Sequence, residues 1–298
     1  MKPRAQMRML PDGRRLHLHD GPIDLVVEAF GSACEIRSAY DAACARFVFL
    51  LDELCAELKI LRQQCRSGSD WPQGSVARRM FAAVLPYACE YFITPMAAVA
   101  GAVAEDILAT MTGAAELHRA YVNNGGDIAI HLNEGEKFGV GMVERPDRPS
   151  LFGTLTISSD DPARGIATSG WRGRSFSLGI ADAVTVLAYS ASAADAAATI
   201  IANAVDLPGH PGIVRAAARE LAPDSDLGDR LVTQGVGALT PGEVHAALQS
   251  GVITAERLLK IGLIRASALN LCGETRLVGV ADDGSISFAL HERSLIHA

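Results

Sequence analysis

Apolar residues along this chain recur first at every second position and then at every third or fourth, and the switches between periods mark its elements. Residues 15–19 and 23–29 alternate around the turn Asp20-Gly21-Pro22, which predicts two short strands. Over 38–64, Phe47, Leu50, Leu51, Leu54, Leu58 and Leu61 fall on one helical face. The polar stretch CRSGSDWPQGS ends that helix, and another is predicted over 76–86. At Thr94-Pro95 a hydroxyl can accept from free N–H groups and Pro fits the first helical position. A helix is predicted from there to Gly113, its C-terminal stop.

Strand periods return at 121–122 and 128–131, around NNGGD, and at 138–143 and 153–158. ADAVTVLAY reads as a buried strand, and Ser192 opens the helix SAADAAATIIANAV. Thr240, Pro241 and Glu243 form a capped helix start, with helix continuing over 255–261. Strands are predicted over 268–280 and 285–290. Helices and strands do not alternate regularly. The expectation is therefore an α+β fold: one domain over 1–298, core about 15–280, with mixed or antiparallel sheets and packed Ala-rich helices.

Composition narrows the partners. Aromatics are only 5% of the chain, so the core must be packed from small side chains. A net charge of −7 and the lack of a basic stripe argue against nucleic acid. No secretory pattern follows the charged start, and no uncharged apolar run approaches the roughly 18 residues of a membrane span. A cytoplasmic protein without a membrane partner is expected, and a homo-oligomer is left open. The six Cys show no C-x-x-C spacing. Cys44 and Cys55, on the first long helix, are expected as reduced core residues, and no structural disulfide is expected.

Candidate chemistry gathers in a few places. Asp195 and Thr199 are one helical turn apart on one face, and a carboxylate and a hydroxyl suit magnesium. The plain alternative is that Asp195 completes a Ser192 cap. Asn124, Gly125, Gly126 and Asp127 form a tight turn or bulge that permits close approach to a ligand. Thr168, Ser169 and Gly170, followed by Arg172 and Arg174, could hold a phosphate or carboxylate or form a solvated loop. His17 and His19 alternate on a strand and are expected to face solvent. No G-x-S-x-G, Walker lysine loop or G-x-G-x-x-G motif occurs.

Taken in order, PMAAVAGAVAE, VNNGGDIAI, TSG and ADAVTVLAYSASAADAAAT resemble the ApbE-like superfamily, related to FAD:protein FMN transferases. The chain is most similar to an uncharacterised cytosolic branch of it. The resemblance implies that Asp195 and Thr199 match magnesium ligands and that Gly125, Gly126 and Asp127 line a flavin nucleotide. It also matches Gly101 to the glycine of a K-G-Y-A-V-D helix, with Glu105, a third candidate metal ligand, where its acid would be and Ala100 in place of its lysine. The transferases' H-x-x-D-P-x-T-G segment is absent between Gly170 and Asp182, which disfavours FMN transfer. The implied function is binding of a nucleotide or small anionic metabolite in a central pocket, with magnesium and a flavin nucleotide as implied cofactors. An enzyme and a non-catalytic accessory protein are the alternatives. No nucleophile stands beside a base, so no catalytic residue is named.

Overall fold

Alternation along the early strands is what builds the first layer. In the computed structural model, which describes residues 4–143, 151–279 and 286–290, β1 (Gln6–Met9), β2 (Leu16–Asp20) and β3 (Ile23–Phe30) form an antiparallel run. Leu16, Leu18, Leu25 and Val27 point inward; His17 and His19 lie on the opposite face, where both are half-buried beside Asp24 rather than open to solvent as expected. β1 escapes sequence reading because its alternation of Gln6, Met7, Arg8 and Met9 spans only four residues, all of them exposed.

α1 (Ala33–Ala56) begins earlier than its apolar stripe suggests, because Ser32 caps it by accepting from the Glu35 N–H. It breaks at Glu57, after which only the single turn α2 (Leu58–Leu61) continues. The break has a use: the Glu57 carboxylate accepts from the Gln73 and Gly74 N–H groups, at 2.6 and 2.7 Å, at the start of α3 (Ser75–Val84). Buried Phe47, Leu50 and Leu54 hold α1 to the core, each contributing about 1.5–3 kcal/mol. Cys44 is only half-buried, at the edge of the core, and Cys55 is exposed, so neither is the fully buried core residue expected. All six cysteines are free.

Thr94 does not cap by its side chain. Its hydroxyl donates to Asp226 instead, and Pro95–Ala98 forms a 3-10 turn leading into α4 (Val99–Ala114). Gly113 therefore lies inside the last turn rather than ending it. Pro95–Ala114 is long and apolar enough to cross a membrane by length and composition. Here it is a core helix, packed by α1, α3 and by α5 (Ala191–Ala204).

The middle of the chain supplies β4 (Arg119–Asn124), β5 (Asp127–Leu132), β6 (Lys137–Val143), β7 (Leu151–Ser158), β8 (Gly165–Ser169) and β9 (Ala183–Ala188). After α5 come β10 (Ile213–Ala217), α6 (Ala218–Leu221), β11 (Leu231–Val236), α7 (Pro241–Lys260), β12 (Ala266–Leu271), β13 (Glu274–Val278) and β14 (Ile286–Leu290). The expected capping box of α7 is present, with Thr240 and Glu243 each serving the other's backbone. Residues 280 and 285, at the ends of two expected strands, lie outside the described residues.

The main sheet has nine strands in the order β1-β2-β3-β4-β5-β8-β9-β12-β13. Every ladder among the described residues is antiparallel, so the fold is α+β and the expectation of mixed or antiparallel sheets resolves to the second. Helices cover one face. On the other, Ile130, Ile166 and Leu187 meet Leu155 and Ile157 of a three-stranded sheet, β14-β7-β6. β10 and β11 form a separate hairpin.

The Ala-rich composition is used where α5 meets its neighbours. A Cβ at Gly101 would overlap the Ala191 carbonyl, one at Gly165 would overlap Ser190, and one at Gly179 would overlap the Ala202 carbonyl. Backbones approach there closer than any side chain permits.

Candidate functional site

The β4–β5 hairpin positions the first acid. Gly125 and Gly126 have φ of 66° and 115°, values that glycine takes without steric penalty, and Asn124 pairs with Asp127 to close the turn. The turn is fastened by the Gly126 N–H donating to Asn123 Oδ1 at 2.8 Å. Successive strand residues face opposite ways. Ala129 faces the helix-side core and Ile130 the other, so Asp127 projects toward the helices. The Thr168 N–H, at the end of β8, donates to Asp127 Oδ1 at 3.2 Å.

α5 supplies the second acid. Its N-cap is Ser190, which accepts from the Ala193 N–H, so the expected cap at Ser192 is corrected. Asp195 is thereby released from capping its own helix. It reaches across to α4 and accepts from the Gly101 N–H at 3.0 Å. Glu105 of α4 reaches the opposite way and accepts from the Ser192 N–H at 2.6 Å. Each helix thus lends a carboxylate to free N–H groups at the other's N-terminal turn. Glu105 also pairs with Arg79 at 3.3 Å. Asn124 closes the group, its side-chain amide donating to the Ala100 carbonyl at 3.2 Å.

The electrostatics are those of crowded acids. Burial pushes the Asp127 carboxyl up to about 7, against the opposing pull of the Thr168 N–H and the Arg174 guanidinium. Asp195 is raised well above the usual carboxylate range, first by burial and then by the charge of Asp127, with Glu105 adding to it. The Gly101 and Ala100 N–H groups oppose that rise. Both acids keep a partial opening to solvent.

The structure draws Gly101, Glu105, Asn124, Gly125, Asp127, Thr168, Arg174 and Asp195 together. Arg174 is exposed and lies against Gly125, where a Cβ would overlap its guanidinium. Other candidates stand apart. Arg172 donates to Asp182 at 2.5 Å and lies over the Trp171 ring, 4.3 Å from its centre. Gly170 packs on the Asp182 carbonyl, where a Cβ would come within 2.5 Å. Thr168 shares a hydroxyl contact with Thr185 at 2.9 Å, and Ser169 continues β8 in register with Val184. Thr199 is half-buried, one turn beyond Asp195.

Asp182 was not singled out from sequence. It also accepts from Trp171 Nε1 at 3.2 Å and from the Cys272 N–H at 2.7 Å, and so holds the loop that carries Arg174. Its signal was an acid at the mouth of an otherwise apolar strand, buried to 7% exposure.

Among the described residues no three His, Cys, Asp or Glu side chains are arranged to hold a metal ion. Two carboxylates fit a different regime. Magnesium is commonly held by one or two carboxylates, with ligand phosphates and water completing its shell. Cavities of about 240 and 750 Å³ occur elsewhere, and Asp127, Asp195 and Glu105 line neither.

A family model described as AbpE bacteria matches residues 7–277. The chain belongs to that family. The membership agrees with the ApbE-like resemblance carried by the Gly125–Asp127 and Asp195–Thr199 motifs. A UPF0280 protein of Methanopyrus kandleri is 39% identical over 128 residues, covering 43% of this chain and 48% of the relative. A UPF0280 protein of Methanococcoides burtonii is 35% identical over 159 residues, covering 53% and 62%. The chain thus spans about half to three-fifths of the length of these curated relatives. Among solved structures, a mutant of the flavin transferase ApbE from Vibrio cholerae covers 92% of this chain and 96% of its own, with 11% identity and a TM-score of 0.37.

Proposed function

We propose that this member of the AbpE bacteria family binds a phosphate-bearing nucleotide or similar small anion, together with magnesium, where the β4–β5 turn meets the N-terminal turns of α4 and α5. The observation that carries the reading is the pairing of Asp127 and Asp195. They come from a strand and a helix, and the Asp127 charge disfavours ionisation of Asp195. A divalent cation relieves that conflict, and Asp127, Asp195 and the Thr199 hydroxyl are the oxygen donors that would hold it. Arg174 lies against Gly125 on the open side, suited to a ligand oxygen. Bound magnesium would neutralise phosphate charge. The chain's own residues bind and orient the ligand.

A flavin nucleotide fits this chemistry as one member of the class. Transfer of FMN to a protein is not favoured, because the chain lacks the H-x-x-D-P-x-T-G segment between Gly170 and Asp182.

Calorimetric titration with magnesium and ADP, and with magnesium and FAD, tests the reading on wild type and Asp195→Asn. The amide oxygen still accepts from Gly101, so the fold should persist. Binding of the magnesium complex should weaken by about tenfold or more, because a hard cation relies on charged oxygen. Equal binding by both proteins, or none by wild type, removes the reading.

A further inference from the structure

The loop between β8 and β9 carries two arginines two residues apart, and they have different partners. Arg172 is tied to Asp182 at the end of the loop, its Nε donating to Asp182 Oδ1 at 2.5 Å. Trp171 Nε1 donates to the same oxygen at 3.2 Å, and the Arg172 guanidinium lies over the Trp171 ring. The other oxygen, Oδ2, accepts at 2.7 Å from the Cys272 N–H, in the turn between β12 and β13. Asp182 is buried, and a buried carboxylate is stable only when such donors surround it. Arg174, by contrast, is exposed, makes no ion pair among the described residues and lies against Gly125.

Backbone contacts complete the dock. The Gly173 N–H donates to the Gly170 carbonyl at 3.0 Å and closes a tight turn. The Trp171 N–H donates to the Ala181 carbonyl at 3.0 Å, and Gly170 packs on the Asp182 carbonyl with no room for a Cβ. Asp182 is itself fixed to the main sheet, its N–H donating to the Asn270 carbonyl of β12 at 3.0 Å. Residues 170–173 are thus fastened to a carboxylate that the sheet holds, and Arg174 is the first residue beyond them.

We propose that Asp182 is a positioning residue for the anion site at the β4–β5 turn. By engaging Trp171 and Arg172 it docks the turn 170–173, and the docked turn presents Arg174, alone of the two arginines, to a ligand phosphate beside Gly125. This rests on the reading of Arg174 as a ligand-binding residue. The physical reason is preorganisation. An arginine on an undocked loop has to be ordered when the ligand arrives, and that cost lowers affinity. Asp182 also offsets the charge of Arg172, so the site offers one guanidinium rather than two.

The test is a double-mutant cycle, read by calorimetric titration of the full chain with magnesium and ADP. Asp182→Asn keeps an oxygen for the Cys272 N–H and removes the charge that binds Arg172. It should weaken binding by about tenfold, the scale of losing Arg174 itself. In an Arg174→Gln background it should cause no further loss, because the residue it acts through is gone. A merely structural role would lower affinity equally in both backgrounds. Arg172→Met carries the same test at a half-buried position if Asp182→Asn does not fold. It keeps an apolar stem over Trp171, removes the Nε donor, and should give the same pattern. The positioning role is overturned if Arg174→Gln weakens binding and the loop variants do not, if their effect persists undiminished in the Arg174→Gln background, or if releasing Arg172 strengthens binding. Absence of binding by wild type, or equal binding by Arg174→Gln, is a different result: it removes the reading of the site, and the positioning role with it.

Discussion

Asp195 accepts a hydrogen bond at 3.0 Å from the N–H of Gly101, a residue 94 positions earlier in the chain. The bond is possible only because Gly101 has no side chain: a Cβ there would overlap the Ala191 carbonyl and hold α4 off α5. Gly101→Ala should therefore destabilise the protein by about 3 kcal/mol, the upper end for overpacking, because backbone cannot move aside as a side chain can. Urea denaturation measures this. An unchanged midpoint would show that the two helices part at little cost.

The titration of Asp127 sets a pH dependence whose sign can be worked out. Its carboxyl titrates at about 7 in the folded chain, above the unfolded value near 4. Across that window the folded state holds a proton that the unfolded state has released. The contribution of Asp127 to stability is thus present below about pH 4 and is lost as pH rises through about 7. Asp127→Asn should flatten this part of the profile. Denaturation midpoints from about pH 4.5 to 8, for both proteins, provide the check. A wild-type slope of the opposite sign that disappears in the variant would contradict it.

Arg174 is exposed, so Arg174→Gln should leave the melting temperature nearly unchanged. It removes the cation that opposes the upward shift of Asp127, so Asp127 should titrate higher still. It should also weaken magnesium–ADP binding by about tenfold, the scale of one charge-assisted hydrogen bond. NMR titration of the Asp127 carboxyl and calorimetry read the two effects separately. An altered melting temperature with unaltered binding would make Arg174 a structural residue.

The cysteines should react in a fixed order. Thiol titration of the denatured, unreduced chain should find all six free. In the native protein, exposed Cys34, Cys55 and Cys89 should react first. Cys272 is exposed, but burial of its thiol and then the Asp182 charge raise its pKa, so it should lag. Half-buried Cys44 and buried Cys65, whose thiols burial also pushes up, should be slowest. Rapid reaction of Cys65 would show that the native state opens around it.

The sequence by itself determined what depends on near neighbours. The predicted strand periods, the Gly125-Gly126 turn and the Thr240–Glu243 box involve contacts within a few residues and are found where the pattern places them, while the first long helix was legible only in its middle, since it starts at Ala33 and breaks at Glu57. The α+β class was legible too, because elements in irregular order cannot build a doubly wound parallel sheet. Only the tertiary structure decided the use of individual polar groups. Ser190 and Ser192 are equally able to cap α5 on local chemistry. The chosen cap is Ser190, and Ser192 instead gives its N–H to Glu105. Arg172 and Arg174 are the same residue type in the same loop, yet one is tied to Asp182 and the other lies against Gly125. The four exposed residues of β1 alternate over too short a run to mark an element, and pairing with β2 made them a strand. The reason is one of range. Caps and turns satisfy backbone groups along the chain, whereas a buried carboxylate takes whichever donor the packed backbones bring near. That meeting was set by Gly101, Gly165 and Gly179, whose missing side chains let α5 settle against α4 and the sheet.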